Sequence, residues 1–180
     1  MDPVSSSVEI DRSPQEIFAY LVDVANLPEW AGAVGEGWLL TREDTVGRGA
    51  GLRFSVKQRA QRYPWMDLTI MEADPGRRIV LAGRGGKFNR IRYLTTITLE
   101  ATEGRKTRVS LQFEGETKLP TDRLFDRKGY FKSRWRKALK DLERTLEGGR
   151  VKGERATIAG GPRKPATGAS VVAAEVALSE

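Results

Sequence analysis

Two residue types that often carry enzyme chemistry are missing from this chain of 180 residues, which contains no histidine and no cysteine. Their absence excludes a Ser-His-Asp triad, a thiolate nucleophile, a disulfide and a zinc or iron site with imidazole ligands. Any catalysis must then use carboxylate, Lys, Arg or Tyr side chains, or ordered water. We therefore predict neither a metal site nor a cofactor.

Hydroxyl groups on one predicted strand are the next candidates. In the segment "RIRYLTTITLEA", alternation places Tyr93 and Thr95 on the same strand face as Ile91 and Ile97. We expect this face to point inward, so that both hydroxyl groups meet a bound molecule. Asp23 is a candidate catalytic carboxylate, but its position at a helix end favours a capping or turn role.

The amino-terminal segment predicts a strand followed by a broken helix. Residues 4–11 have β-forming composition with alternating polarity. Ser13 is a suitable N-cap, Pro14 a suitable first helical residue, and Glu16 completes a capping box. The helix is expected to end or bend near Pro28, because the residue before a proline avoids the α region.

The rest of the domain predicts a strand meander and a final helix. From Gly35 onward the apolar period is two, and we count about seven strands in all, six of them consecutive. The period then becomes helical over residues 121–147. The fold class is therefore α+β: a curved antiparallel sheet of about seven strands wrapped around a long C-terminal helix, with two short helices after strand 1.

A composition change marks the end of the predicted domain. Gly148 and Gly149 form a helix stop, and the following residues are rich in Gly, Pro, Ala and charge without an aromatic side chain. We predict a domain over residues 1–148 and a flexible, disordered tail over 149–180, whose end is a possible partner-binding helix. With no transmembrane segment and no secretory signal in the sequence, we expect a cytoplasmic protein.

The charge balance offers a second kind of function. The formal net charge is +7, from 31 Lys and Arg against 24 Asp and Glu. A surplus of this size can attract nucleic acid or anionic lipid. No nucleic-acid-binding motif accompanies it, so we do not expect nucleic acid as a partner. The densest basic cluster comprises Arg84, Lys87, Arg90 and Arg92, and we interpret it as a solvated hairpin.

Four segments carry a resemblance to a known family. They are "SPQEIFAYLVDVANLPEW", "VGRGAGLRFSV", "ADPGRRIVLAG" and "LTTITLEATEGRKTRVSLQFEGE". Together they resemble the START-like, helix-grip superfamily often called SRPBCC, and within it the polyketide cyclase/dehydrase-like group. The resemblance covers about residues 4–147 and implies a ligand cavity between the sheet and the long helix. Members bind lipids, sterols, plant hormones or polyketides there, and a minority catalyse cyclisation or dehydration.

The chain departs from the family pattern in two respects. Catalytic members commonly use polar cavity groups that include His, and the Rieske-type branch binds iron through His, whereas this chain has none. The tail beyond Gly148 has no counterpart in the family pattern.

The predicted cavity-lining residues share inward positions on the strands, on the long helix or at the helix break: Trp30, Trp38, Phe54, Leu68, Leu81, Tyr93, Thr95, Ile97, Leu111, Phe113, Tyr130, Phe131 and Trp135. The same aromatic set is compatible with a filled core, and the resemblance favours a cavity. For Trp30 we favour a structural role in the core over a position at the cavity mouth.

Three functions remain open at this point. The preferred one is a non-catalytic binder or carrier of a small hydrophobic molecule, lipid or polyketide-like. The alternative is a polyketide cyclase or dehydratase that uses carboxylate, Tyr or Arg acid–base chemistry, with Tyr93 and Arg92 as candidate residues. The third is a basic interaction module that binds nucleic acid, acidic lipid or a protein.

Overall fold

The first elements of the chain are a strand and a helix with a well-formed cap. The computed structural model describes residues 3–57, 63–116, 130–149 and 153–158. Strand β1 (Val4–Ile10) is followed by α1 (Pro14–Leu21). The backbone N–H of Ser13 donates to Glu16 Oε2 at 2.7 Å, and the Glu16 N–H donates to Ser13 Oγ at 3.3 Å. The predicted capping box is therefore confirmed.

The first helix ends earlier than Pro28, where the sequence predicts its end. Helix α1 ends at Leu21, a 3₁₀ turn spans Val24–Asn26, and α2 spans Leu27–Ala31. Pro28 stands in the first turn of α2. An N–H at this position has no partner within the helix, so its absence from proline costs no hydrogen bond. Pro28 therefore helps to begin a second short helix rather than to end the first.

The remaining strands form a single sheet together with β1. Their bounds are β2 (Gly35–Leu40), β3 (Gly51–Val56), β4 (Trp65–Asp74), β5 (Arg78–Gly85), β6 (Ile91–Ala101), β7 (Thr107–Glu116) and β8 (Thr157–Ile158). The strand order is β1-β7-β6-β5-β4-β3-β2-β8. All pairs of neighbours are antiparallel except β2 and β8, which are parallel. The α+β fold class is confirmed, with eight strands in the described residues.

The long helix α3 (Tyr130–Gly148) covers the inner face of the sheet. Its buried stripe follows the predicted helical spacing and consists of Phe131, Trp135, Ala138, Leu139, Leu142 and Leu146. The predicted helical residues 121–129 lie outside the described residues. Because α3 packs against both β1 and α2, it links the sheet to the short helix α2.

Residues 153–158 add to the domain beyond its predicted end at residue 148. The N–H of Ala156 donates to the carbonyl of Ala25 at 2.8 Å, and the Ala156 side chain is buried. A Cβ at Gly153 would lie 2.3 Å from the Pro28 carbonyl oxygen, so only glycine allows this close approach. This part of the predicted tail is therefore packed on the helices, whereas residues 159–180 lie outside the described part of the chain.

Candidate functional site

A row of aromatic side chains runs between α2, α3 and the inner face of the sheet. We define this aromatic row as Trp30, Trp135, Phe113, Phe131 and Tyr93. The ring centroids of Trp30 and Trp135 are 6.3 Å apart, and Trp135 lies 5.6 Å from Phe113. Phe113 lies 4.9 Å from Phe131 and stacks on Tyr93 at 5.6 Å. The row is continuous from the short helix α2 to strand β6.

Three polar atoms in this region are buried without a hydrogen-bond partner among the described residues. They are Nε1 of Trp30, Nε1 of Trp135 and Oγ1 of Thr95. Thr95 is 1% exposed and is paired in register with Leu81 on one side and Phe113 on the other. An indole N–H can only donate, whereas a hydroxyl can donate or accept. A partner for all three atoms must therefore present at least one acceptor.

The structure brings most of the predicted lining residues together in one buried face. The apolar members of this set are Phe54, Leu68, Leu81, Ile97, Leu111, Phe113, Phe131 and Trp135. Tyr93 is partly buried on the same strand face. The Tyr130 side chain lies outside the described residues. These side chains share one surface of the sheet and helix, which is where a ligand between the two would have to lie.

Trp38 occupies a different position, at the edge of this buried face. Its ring stacks on Phe54 with centroids 4.3 Å apart and remains partly exposed. Trp38 lines a cleft of about 610 Å³ together with Trp30, Glu29, Lys137 and other residues of α2, β2, α3 and the segment 153–157. Trp30 thus borders both the open cleft and the aromatic row, although its side chain is 1% exposed.

A buried Tyr–Glu pair stands on the same short helices. The Tyr20 hydroxyl donates to Glu29 Oε2 at 2.7 Å, and each residue is 1% exposed. Burial, followed by the charge of Glu29 and its hydrogen bond, raises the pKa of Tyr20 far above its ordinary value. Tyr20 therefore stays protonated and serves as a donor to the carboxylate.

Sequence reasoning did not single out this pair. Tyr20 fits the apolar helical pattern of α1, and Glu29 looks like a surface residue of a short helix. The available signal is the position of Glu29 between Pro28 and Trp30, in the otherwise apolar segment "LPEWA". A carboxylate in such a segment is either exposed or hydrogen-bonded.

Asp23 caps the 3₁₀ turn rather than facing the aromatic row. Its Oδ1 accepts from the Ala25 N–H at 3.0 Å, and its Oδ2 accepts from Arg155 at 2.5 Å. Arg155 also donates to Asn26 Oδ1 at 2.6 Å. These contacts support a capping role for Asp23 rather than a catalytic one. Through them, Arg155 holds the segment 153–158 against the helices.

Arg92 faces away from the interior. It is exposed on the outer face of β6, opposite Glu116 in the sheet register. A second cleft, of about 620 Å³, lies on this outer face beside Asp67, Met71 and Leu94. Arg92 and Tyr93 both border this second cleft, whereas the buried carboxylates in the described residues, Glu29 and Asp141, lie on α2 and α3.

Within the described ranges, no group of three or more Asp or Glu side chains is arranged to hold a metal ion. The helices of the same ranges include none that is both long enough and apolar enough to cross a membrane.

A curved antiparallel sheet closed around one long helix, with two short helices at its end, defines a helix-grip protein. The model of the family described as polyketide cyclase / dehydrase and lipid transport matches residues 1–147. This match spans most of the chain, and the protein belongs to that family. The predicted family is therefore confirmed. A search of the curated proteins finds no match.

Solved structures of low sequence identity share the fold. Norcoclaurine synthase from Thalictrum flavum, crystallised with dopamine and hydroxybenzaldehyde, matches with a TM-score of 0.65 and 13% identity over 84% of this chain and 89% of the other. Major latex-like protein 151 from Panax ginseng matches with a TM-score of 0.59 and 13% identity over 78% and 94%.

DynU16, from the dynemicin biosynthetic locus, matches with a TM-score of 0.58 and 15% identity over 85% of this chain. This chain spans only 50% of DynU16. At these identities the likeness concerns the fold alone. The family typically binds hydrophobic ligands or acts as a polyketide cyclase, which narrows the class of function without naming a ligand.

Proposed function

We propose that the protein binds a small, largely apolar molecule that carries a hydrogen-bond acceptor, between the sheet and α3. The observation that carries this proposal is the set of three unpartnered polar atoms on Trp30, Trp135 and Thr95. A buried polar group without a partner costs roughly 1–3 kcal/mol. A ligand whose acceptor reaches these donors removes that cost and so binds more tightly than its purely apolar analogue.

The surroundings of these atoms favour a flat or aromatic ligand. The aromatic row supplies ring faces and edges, which interact with other rings beyond the effect of area burial alone. The cleft beside Trp30 has a volume of about 610 Å³, within the range of roughly 300–1,000 Å³ that small-molecule sites occupy. It offers a route to the row because Trp30 borders both.

Carbonyl-bearing polyketides combine the two required properties, an extended apolar body and several acceptor oxygens. The family description also includes lipid transport, and a fatty acid would present one polar end to the row. We favour the polyketide-like ligand because the unpartnered donors come from three separate elements, α2, α3 and β6. Several acceptors along one body satisfy such donors better than one terminal group does.

Two matched probes test the requirement for an acceptor. 1-Acetylnaphthalene and 1-ethylnaphthalene have nearly the same shape but differ in one carbonyl oxygen. We expect the acetyl compound to bind about tenfold more tightly, the change that one satisfied hydrogen bond produces. Calorimetric titration measures both affinities. Equal affinities, or tighter binding of the ethyl compound, would contradict the proposal.

A second function is favoured by the buried pair of Tyr20 and Glu29. Glu29 lines the cleft of about 610 Å³ and is held by the hydroxyl of a tyrosine that stays protonated. A carboxylate in this position is able to abstract a proton from the carbon between two carbonyl groups, the first step of a polyketide cyclisation. Tyr20 then donates to the carboxylate throughout and fixes its orientation.

Glu29→Gln separates the two functions. For a cyclase, this variant loses about 10²- to 10⁴-fold of turnover on a poly-β-keto thioester and keeps its affinity for 1-acetylnaphthalene. If the protein is only a binder, neither the unchanged chain nor Glu29→Gln turns over the thioester. Asp141→Asn, which changes a second carboxylate that lines the same cleft, is the matched control.

A further inference from the structure

One end of the sheet presents three aromatic side chains to solvent. Tyr63 is 39%, Trp65 49% and Phe88 86% exposed. Met66 pairs with Gly85 and Gly85 with Ile91, so the start of β4 lies beside the turn between β5 and β6. The three rings therefore belong to one end of the molecule, which we define as the aromatic rim (Tyr63, Trp65 and Phe88).

The position of Phe88 is unusual for a large side chain. Its backbone has φ 58° and ψ 29°, and the next residue, Asn89, has φ 52°. This left-handed conformation suits Gly, Asn or Asp at a turn and disfavours a bulky residue. The turn therefore holds an apolar ring in solvent at a position where a polar residue would fit the backbone better.

A positive charge lies beside this ring. The Lys87 ammonium lies 5.2 Å from the centre of the Phe88 ring, and the turn sequence "GKFNR" contains no acidic residue. Farther along the strands, Arg84 and Arg92 face each other in the register. Asp67 and Glu116 lie on their outer sides. Acidic side chains thus stand beside the basic ones on the strands, whereas Lys87 places a positive charge at the turn, next to the Phe88 ring.

We propose that the aromatic rim and the β5–β6 turn dock on a membrane surface that contains anionic lipid. Aromatic side chains partition to the boundary between headgroups and acyl chains, and basic side chains nearby are attracted to anionic headgroups. Phe88 is the inserting residue, and Lys87 is the charged residue beside it. This proposal does not depend on the ligand that lies between the sheet and α3.

The shape of the surface favours a membrane over a nucleic acid. Single-stranded nucleic acid is bound in a basic groove that follows the backbone while aromatic rings stack on the bases. Here the most exposed ring stands on the β5–β6 turn, beside strands on which Asp67 and Glu116 are interspersed with the basic residues. A single exposed ring on a turn can insert into a lipid interface, but it does not form a groove around a nucleic-acid strand.

Co-sedimentation of the full chain with vesicles tests the proposal. We expect binding to equimolar phosphatidylcholine and phosphatidylglycerol, little binding to phosphatidylcholine alone, and weaker binding as salt rises. Phe88→Asn should bind about tenfold less, because it removes the apolar ring, while the backbone conformation remains acceptable. Lys87→Gln should bind about fivefold less.

Val46→Asn is the matched control, since Val46 is 52% exposed but lies in the β2–β3 connection at the opposite end of β3. It should bind the vesicles as the unchanged chain does. Unfolding midpoints check that Phe88→Asn is folded, and we expect its midpoint to be equal or higher. The proposal is overturned if neither vesicle is bound, if Phe88→Asn binds as well as the unchanged chain, or if a single-stranded oligonucleotide displaces the vesicles.

Discussion

The indole rings of Trp30 and Trp135 lie 6.3 Å apart at an interplanar angle of 45°, and neither Nε1–H has an acceptor among the described residues. One ring comes from the short helix α2 and the other from the long helix α3, which pack against each other. Two buried donors are thus brought together by the packing that closes the fold. Their unmet hydrogen-bonding capacity is the basis of the proposed function.

Replacing the Thr95 hydroxyl should stabilise the protein while it weakens ligand binding. Thr95→Val keeps the shape of the side chain and removes a buried hydroxyl that has no partner among the described residues. We expect the free energy of unfolding to rise by about 1 kcal/mol. Urea denaturation measures this change, and titration with 1-acetylnaphthalene measures the loss of affinity.

Thr107→Val is the matched control for that substitution. Thr107 is equally buried, but its hydroxyl donates to the Arg12 carbonyl at 2.7 Å. Its replacement should lower the free energy of unfolding by about 1–2 kcal/mol. If both variants are destabilised to the same degree, then the Thr95 hydroxyl is satisfied in solution and the basis of the proposal is lost.

The Tyr20–Glu29 pair should produce a measurable dependence of stability on alkaline pH. The pKa of Tyr20 is raised in the folded state, so folding favours its protonated form. This contribution is complete below the unfolded pKa of about 10 and falls by about 1.4 kcal/mol per pH unit above it, because only the unfolded chain then releases the proton.

Tyr20→Phe isolates this effect from the titration of the other tyrosines. Below pH 10 the variant should be less stable by about 1.5–3 kcal/mol, the contribution of a hydrogen bond to a charged group. The difference between the two proteins should then narrow as pH rises above 10. A constant difference in denaturation experiments across this range would show that Tyr20 titrates normally in the folded protein.

Arg155 should anchor residues 153–158 to the helices. Its pair with Asp23 is partly buried, with side chains 28% and 14% exposed. Arg155→Ala should lower the free energy of unfolding by about 1–2 kcal/mol, because it leaves Asp23 and Asn26 without their partner. Hydrogen exchange should also show faster loss of the Ala156 amide proton, which is bonded to Ala25.

Arg108→Ala provides the comparison for an exposed ion pair. Arg108 bonds Glu9 at 3.0 Å, with both side chains about half exposed. Its removal should change stability by less than about 1 kcal/mol and leave exchange at Ala156 unaltered. Equal effects from the two arginines would mean that the segment 153–158 is not held by Arg155.

Periodicity predicted the elements that bury a continuous apolar face. The alternation of Tyr93, Thr95 and Ile97 was enough to place them on one inner face, and the helical stripe containing Trp135 was enough to place α3. These patterns are local consequences of the strand and helix repeats. The face on which these side chains lie could therefore be predicted from the sequence.

Features that depend on contacts between distant segments were not predictable in this way. Glu29 is buried because Tyr20, nine residues earlier, supplies a hydroxyl after the chain has turned. Strand β8 pairs with the edge strand β2. It is held there because Arg155 bonds Asp23, which lies 132 residues earlier in the sequence. Neither pairing leaves a periodic pattern, so composition alone predicted a flexible tail.

The indole N–H resonances of the four tryptophans test the central claim most directly. Each resonance is assigned with a single Trp→Phe variant in a ¹H–¹⁵N correlation spectrum, and 1-acetylnaphthalene is then added. We predict that at least one of the Trp30 and Trp135 protons shifts downfield, as on gaining an acceptor, and exchanges more slowly with water, while the Trp65 proton is unchanged. If the probe binds and only the Trp38 or Trp65 resonances respond, then the ligand does not lie between the sheet and α3.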